Sequence, residues 1–273
     1  MMRRMAMAAV VAGGMLLGGG GPTAVHAQAE PVLVETFEDV ERDSLGEVLA
    51  RDDRMTIVDG AGVQGSSALR VQYVGYDRGS QRLVQRYPLN ETLHEATLSY
   101  DVKLDEDFQF VRGGKMHGLG PKQPVTGGNP RRPARWSARV NFNRTGGVST
   151  YLYDQSEGSV YGRRRNSGEG FTLERGRYYA VSMHMKLNDA GEANGFAHIY
   201  VDGKLRVRHD NVVFRGTDGE RTLIHQFLFS TFHGGSNPDW APRDEDGEYA
   251  TVHAYFDNFA IHPGKAVRAE PGD

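Results

Sequence analysis

The chain has 273 residues, 38% of them hydrophobic and 25% charged, with a formal net charge of −3. That size and mixture can bury a substantial core, which excludes a disordered protein, and the near-neutral charge excludes a general nucleic-acid binder. With no cysteine there are no disulfides, thiolate metal sites or thiol nucleophiles, so stability must come from packing.

Residues 1–27 stand apart. Arg3-Arg4 form a basic start, Met5 to Leu17 are mostly apolar or small, and Val25-His26-Ala27 fits a small-residue cleavage site. We read a secretory signal peptide, too short in its apolar part to span a membrane, with the mature chain starting near Gln28 and secreted or periplasmic. Residues 28–273 then form one domain.

Val32 to Phe37 opens as a strand. Ala68 to Val74, Arg82 to Tyr87 and Thr97 to Leu104 continue the period-two alternation, the last with Leu98, Tyr100, Val102 and Leu104 on one face. No segment predicts a helix. Lys115 follows a Gly113-Gly114 bend, and the stretch from Gly118 to Arg135, with four prolines, predicts a long excursion at a sheet rim. From Trp136 to Phe142 the apolar residues Trp136, Ala138, Val140 and Phe142 alternate with Ser137, Arg139 and Asn141. Every polar side chain therefore points to one face, which is wet or functional. After the Gly146-Gly147 turn, Tyr151 and Tyr153 share a face opposite Leu152. Tyr178 to Leu187, Ala197 to Val201, Leu205 to Val212, Leu223 to Phe232 and Val252 to Ile261 complete about ten strands, with a hairpin signal at Asp202-Gly203. The pattern predicts an all-β, antiparallel β-sandwich of the jelly-roll, concanavalin-like type whose concave face binds a polysaccharide.

Three chemistries suit such a face. Glycoside hydrolysis needs two carboxylates in the cleft, and the strands most suited to line it offer none. Elimination across a uronate needs cations to neutralise the carboxylate and stabilise the enolate, and a group to move the C5 proton. Lys115, Arg139, Tyr151 and Tyr153 form that set, with cations expected to lower a phenol's pKa. The third reading is a lectin-like binding module, which aromatic stacking alone would serve.

Gly113-Gly114-Lys115, Trp136-Ser137-Ala138-Arg139, Tyr151-Leu152-Tyr153, Thr231 to Gly235 with Trp240, and Phe256-Asp257-Asn258-Phe259 closely resemble the family-14 polysaccharide lyases, which include alginate and glucuronan lyases. The resemblance runs from about Thr97 to Ile261. It implies a β-jelly roll with its active site on the concave face, catalytic or binding roles for Lys115, Ser137, Arg139, Tyr151 and Tyr153, and β-elimination giving unsaturated oligosaccharides. His117 and His233 stand where the family pattern has a proline and an aromatic, which makes both candidates for shaping subsites. Asn141 joins them as a substrate-binding candidate. Trp240 either stacks on a sugar ring or packs beneath the last loop, and His225 suits a core or rim place as well as a catalytic one.

Because Tyr151 and Tyr153 approach from one side, we expect syn elimination, with one of them acting as a phenolate. The substrate would be a polymannuronate or polyglucuronate, in which the C5 proton and the C4 oxygen lie on the same side of the ring. Arg131-Arg132, Arg135 and Arg163 to Arg165 are basic clusters, open between solvated loops and capture of an anionic polymer. The expected partner is an acidic polysaccharide, with no nucleic acid and no membrane, bound by a monomer. Asp239 to Glu248 lacks the ligand spacing of a calcium loop, so no metal and no cofactor is expected.

Overall fold

Alternating apolar residues pair the chain into two antiparallel sheets in this computed structural model, which describes residues 29–156 and 160–273. The predicted signal peptide lies outside the described residues. In chain order the first strands are β1 (Leu33–Glu35), β2 (Met55–Val58), β3 (Ala68–Tyr76), β4 (Gly79–Ser80), β5 (Leu83–Leu93), β6 (Glu95–Leu104), β7 (Gly113–Gly120) and β8 (Ser137–Asn143). They are followed by β9 (Val148–Tyr153), β10 (Arg163–Asn166), β11 (Tyr178–Lys186), β12 (Gly195–Val201), β13 (Lys204–Val212), β14 (Ile224–His233) and β15 (Thr251–Pro263).

One sheet runs β13-β12-β11-β6-β15-β3-β2, with β1 on β15 and β4 on β3; the other runs β10-β9-β8-β7-β14-β5. The architecture is the all-β antiparallel sandwich that the alternation predicts. Leu98, Tyr100 and Val102 of β6, Met183 of β11 and Phe256 of β15 share one buried core with Leu119, Val140, Phe142, Phe227 and Phe229 of the second sheet. Trp136, fully buried just before β8, donates its indole N–H to the Thr222 carbonyl at 2.8 Å, so its polar edge is satisfied within the apolar layer. The Asp202-Gly203 hairpin is as predicted: both residues have positive φ, 48° and 68°, which suits the twist of a two-residue turn.

Two features differ from the sequence reading. Among the described residues there are fifteen strands rather than about ten, because short edge strands such as β4 and β10 carry no period-two signal of their own. There is also a helix, α1 (Leu45–Ala50), where none was expected. Its signal was the Ser44…Glu47 capping pair: Ser44 Oγ accepts the Glu47 N–H at 3.2 Å, while Glu47 Oε2 accepts from the Asp43 N–H at 2.6 Å.

Candidate active site

On β8 the polar residues Ser137, Arg139 and Asn141 all face away from the core, and their neighbours across the six-stranded sheet build a trough. Arg139 lies opposite Tyr151 of β9 and Gly118 of β7; Asn141 lies opposite Lys115. Beyond β7 come Leu228, Ser230 and Phe232 of β14, and then Val84 and Arg86 of β5. On the other flank Arg164 of β10 lies opposite Tyr151. Lys115, Ser137, Arg139, Asn141, Tyr151 and Tyr153 are therefore brought together.

Of the two readings of this face, wet or functional, the first does not hold, because the face is covered. Ser137, Arg139, Asn141, Tyr151 and Tyr153 are buried, and Lys115 is half-buried. The covering is the loop after β7: the Val125 carbonyl accepts from Ser137 Oγ at 2.7 Å, and the Gly128 N–H donates to the Tyr153 hydroxyl at 3.1 Å.

Arg139 is held by hydroxyls alone. Nη1 donates to Ser137 Oγ at 2.7 Å and Nε to Ser230 Oγ at 3.2 Å, so the guanidinium crosses β7 to reach β14. It can do so because Gly118 lies beneath it: a Cβ there would sit 2.7 Å from Arg139 Cγ and 1.9 Å from the Ala138 carbonyl. Burial lowers Arg139 to about 10, which leaves it charged at neutral pH. Lys115 Nζ stands 4.9 Å from the ring centres of both Tyr151 and Phe232. Burial first, and then the charges of Arg139, Arg164 and Arg82, lower its pKa to about 7.

The expectation that nearby cations would lower a phenol's pKa is corrected here. Burial, and then the neighbouring Tyr153 hydroxyl at 3.4 Å, push Tyr151 well above the ordinary range, so its proton stays on. Asn141 Oδ1 is buried without a hydrogen-bond partner, an acceptor left open beside Lys115.

Two substrate-binding assignments are also corrected. His117 would share the Lys115 face if β7 kept a strict alternation, but β7 carries an extra residue between Lys115 and Gly118. Met116 and His117 both turn inward, and His117 packs against Tyr100, Phe229, Phe256 and Phe259, where burial holds it neutral. His233 also points into the core, between Tyr73, Phe108 and Phe142, with Nε2 on the Gln109 carbonyl at 2.6 Å and a pKa lowered to about 4. Neither can meet a substrate in the trough. His225 is half-buried, with Nε2 on the Glu220 carbonyl at 2.9 Å. Trp240 is half-buried and packs on the backbone of Gly235, next to Gly234, which borders the Lys115 amine; it flanks that end of the trough.

Sequence reasoning missed Arg82, Arg86 and Ser230 and gave Arg164 and Phe232 no place beside Lys115, because all five reach the trough only through pairing between distant strands. Among the described residues, one group of three potential metal ligands occurs, Asp105, Asp107 and His253, and none of them lies on the six-stranded sheet.

Residues 64–259 match the family model described as Polysaccharide lyase 14. No curated protein matches the chain. Among solved structures, a double mutant of the alginate lyase Aly36B in complex with alginate tetrasaccharide superposes with a TM-score of 0.70 at 22% identity, over 89% of this chain and 100% of that one. The marine PL-14 alginate lyase from Aplysia kurodai gives 0.67 at 20% identity, over 86% and 100%. The endo-β-1,4-glucuronan lyase from the fungus Trichoderma reesei gives 0.55 at 15%, over 89% and 100%. At such identities these likenesses establish the shared fold.

Proposed function

We propose that this chain, which belongs to polysaccharide lyase family 14, cleaves a polyuronate of the mannuronate or glucuronate type by syn β-elimination. The observation that carries this is a trough with Lys115, Arg139 and two phenols on one side and no carboxylate among the described residues that line it. Hydrolysis would need two carboxylates there. A simple binding module would not need a lysine brought to about 7 against a protonated phenol.

Each group has a role. Arg139, fixed by Ser137 and Ser230, binds the uronate carboxylate and stabilises the enolate charge as it develops. Lys115, as the free amine, takes the C5 proton. The C5–H electrons form the C4=C5 double bond, the C4–O4 bond breaks, and Tyr151 gives its proton to the leaving oxygen. Proton return from Lys115 to the Tyr151 phenolate resets the site. Tyr153, held by Gly128, positions Tyr151 through their hydroxyl contact. Base and acid approach from one side, which suits sugars whose C5 proton and C4 oxygen are on the same side. The alginate and glucuronan lyases among the structural neighbours support that substrate range. The charge pattern of residues 1–27 supports action outside the cytoplasm.

The test is ultraviolet absorbance of the conjugated double bond during incubation with polymannuronate, polyguluronate, glucuronan, pectate and hyaluronan. Absorbance should rise on polymannuronate or glucuronan. Binding with no absorbance on any substrate would favour the lectin reading, and cleavage confined to polyguluronate would overturn the one-sided mechanism.

A further inference from the structure

We infer that a second polyanion-binding site lies beyond the loop end of the trough. It is lined by Lys122, Arg132, Arg135 and Arg221 and takes carboxylates of the same polymer outside the reacting segment. This rests on the polyuronate reading above.

The loop after β7 and the segment before β14 enclose a cavity of about 540 Å³ bearing those four cations, with no carboxylate in its lining. That volume lies within the roughly 300–1,000 Å³ typical of ligand sites. A smaller hollow of about 290 Å³ shares Arg132 and Arg135 and adds Arg86 and Val125. Arg86 faces the trough from β5 and is one of the charges pressing on Arg139, while the Val125 carbonyl is held by Ser137. The smaller hollow therefore links the larger one to the trough, through Arg132 and Arg135 on one side and Arg86 and Val125 on the other.

Solvated loop segments are usually free to separate, and the backbones that carry these four cations are not. Gln155 Nε2 donates to the Arg132 and Arg135 carbonyls at 3.2 Å and to Phe214 at 2.9 Å, while the Gly216 N–H donates to Pro133 at 2.9 Å. The Arg135 side chain is aimed by a 3.0 Å bond to Gln123, and the Lys122 N–H meets the Arg221 carbonyl at 3.3 Å. Asp218, close to Arg221 in sequence, faces Arg215 at 3.6 Å. Like charges carried into one hollow on tied backbones, with no acid among the described residues that line it, repel, and a polymer with one carboxylate per sugar relieves that repulsion.

The experiment compares wild type with Arg132→Gln/Arg221→Gln on a cleaved polyuronate and on its trisaccharide, the short substrate serving as the control for the reacting segment. KM for the polymer should rise roughly five- to thirty-fold, as for two exposed charge pairs at the favourable end of their range. kcat and the trisaccharide KM should stay unchanged, and the salt dependence of the polymer KM should weaken. Electrophoresis in gels containing polymannuronate reads binding without turnover, and retardation of wild type but not of the variant supports the site even if no polyuronate is cleaved. A failure of the catalytic reading is thereby separated from a failure of this one. An unchanged polymer KM, equal loss on polymer and trisaccharide, or equal retardation of the two proteins would overturn the second site.

Discussion

Replacing Lys115 with methionine should inactivate the protein and stabilise it at the same time. The amine falls from its ordinary 10.5 to about 7 on folding, mainly through burial. At about 1.36 kcal/mol per pH unit, the gap sets an upper bound of about 5 kcal/mol on the cost of holding the charged amine in the fold. Solvent screening at a half-buried group reduces this to roughly 1–3 kcal/mol. The sign follows from proton binding. Between pH 7 and 10.5 the unfolded chain binds a proton that the folded one does not, so this group's contribution to stability rises with pH across that window, and the destabilisation is complete below pH 7. Lys115→Met should therefore melt roughly 2–10 °C above wild type at pH 6, and by pH 9 its advantage should shrink to less than half. Thermal unfolding of both proteins at the two pH values, followed by circular dichroism, is the assay. A variant no more stable than wild type at pH 6, or an advantage that does not change with pH, would refute the reasoning that Lys115 is held against its own charge.

The other predictions use the same side chains. Tyr151→Phe should lower kcat by about 10²–10⁴-fold with substrate binding largely kept, whereas Tyr153→Phe should cost about 1 kcal/mol of stability through the lost Gly128 bond and reduce kcat less; single-turnover kinetics and denaturant melts separate the two, and the reverse order would exchange their roles. Because kcat/KM reports the free enzyme, it should climb with pH through a midpoint near 7 as Lys115 loses its proton and then level off; a rise continuing to pH 10 would point to a phenolate base. Gly118→Ala should displace Arg139 and destabilise the fold, since a Cβ would lie 1.9 Å from the Ala138 carbonyl; an unchanged melting temperature and rate would contradict the crossing geometry. Ser230→Asp should place a carboxylate beside Arg139 Nε and raise KM sharply while leaving the protein folded; a KM like that of wild type would show that Arg139 does not bind the carboxylate.

How much of this was legible depended on whether a strand keeps its alternation. β8 does, so the shared face of Ser137, Arg139 and Asn141 could be read by counting, and β9 gives Tyr151 and Tyr153 in the same way. β7 does not, and the extra residue between Lys115 and Gly118 sends His117 into the core although it stands only two positions from Lys115. In Lys115-Met116-His117-Gly118 the glycine is the one local sign of that break. Arg82, Arg86 and Arg164 were legible as charges but not as members of the trough, because only the pairing of β5 with β14 and of β10 with β9 gives them an address.

That address explains why the trough stays positive. Several arginines elsewhere in the molecule are matched with acids, as in Arg54 with Asp52, Arg163 with Asp154 and Arg177 with Asp202. In the trough the partners are hydroxyls and rings: Ser137 and Ser230 for Arg139, Tyr151 and Phe232 for Lys115, the Tyr151 ring at 5.2 Å for Arg164, and the Phe232 ring at 5.9 Å for Arg82. A carboxylate would hold these cations more firmly, but it would cancel the field that a uronate must meet. An aromatic face or a hydroxyl orients a cation and leaves its charge in place. Burial does most to lower Lys115, and with no acid among the described residues beside it the neighbouring cations add to that cost; Lys115 is the one group among them that can release a proton near neutral pH. The arrangement that attracts the substrate's carboxylate is therefore also what keeps a free amine beside it, ready to take the C5 proton.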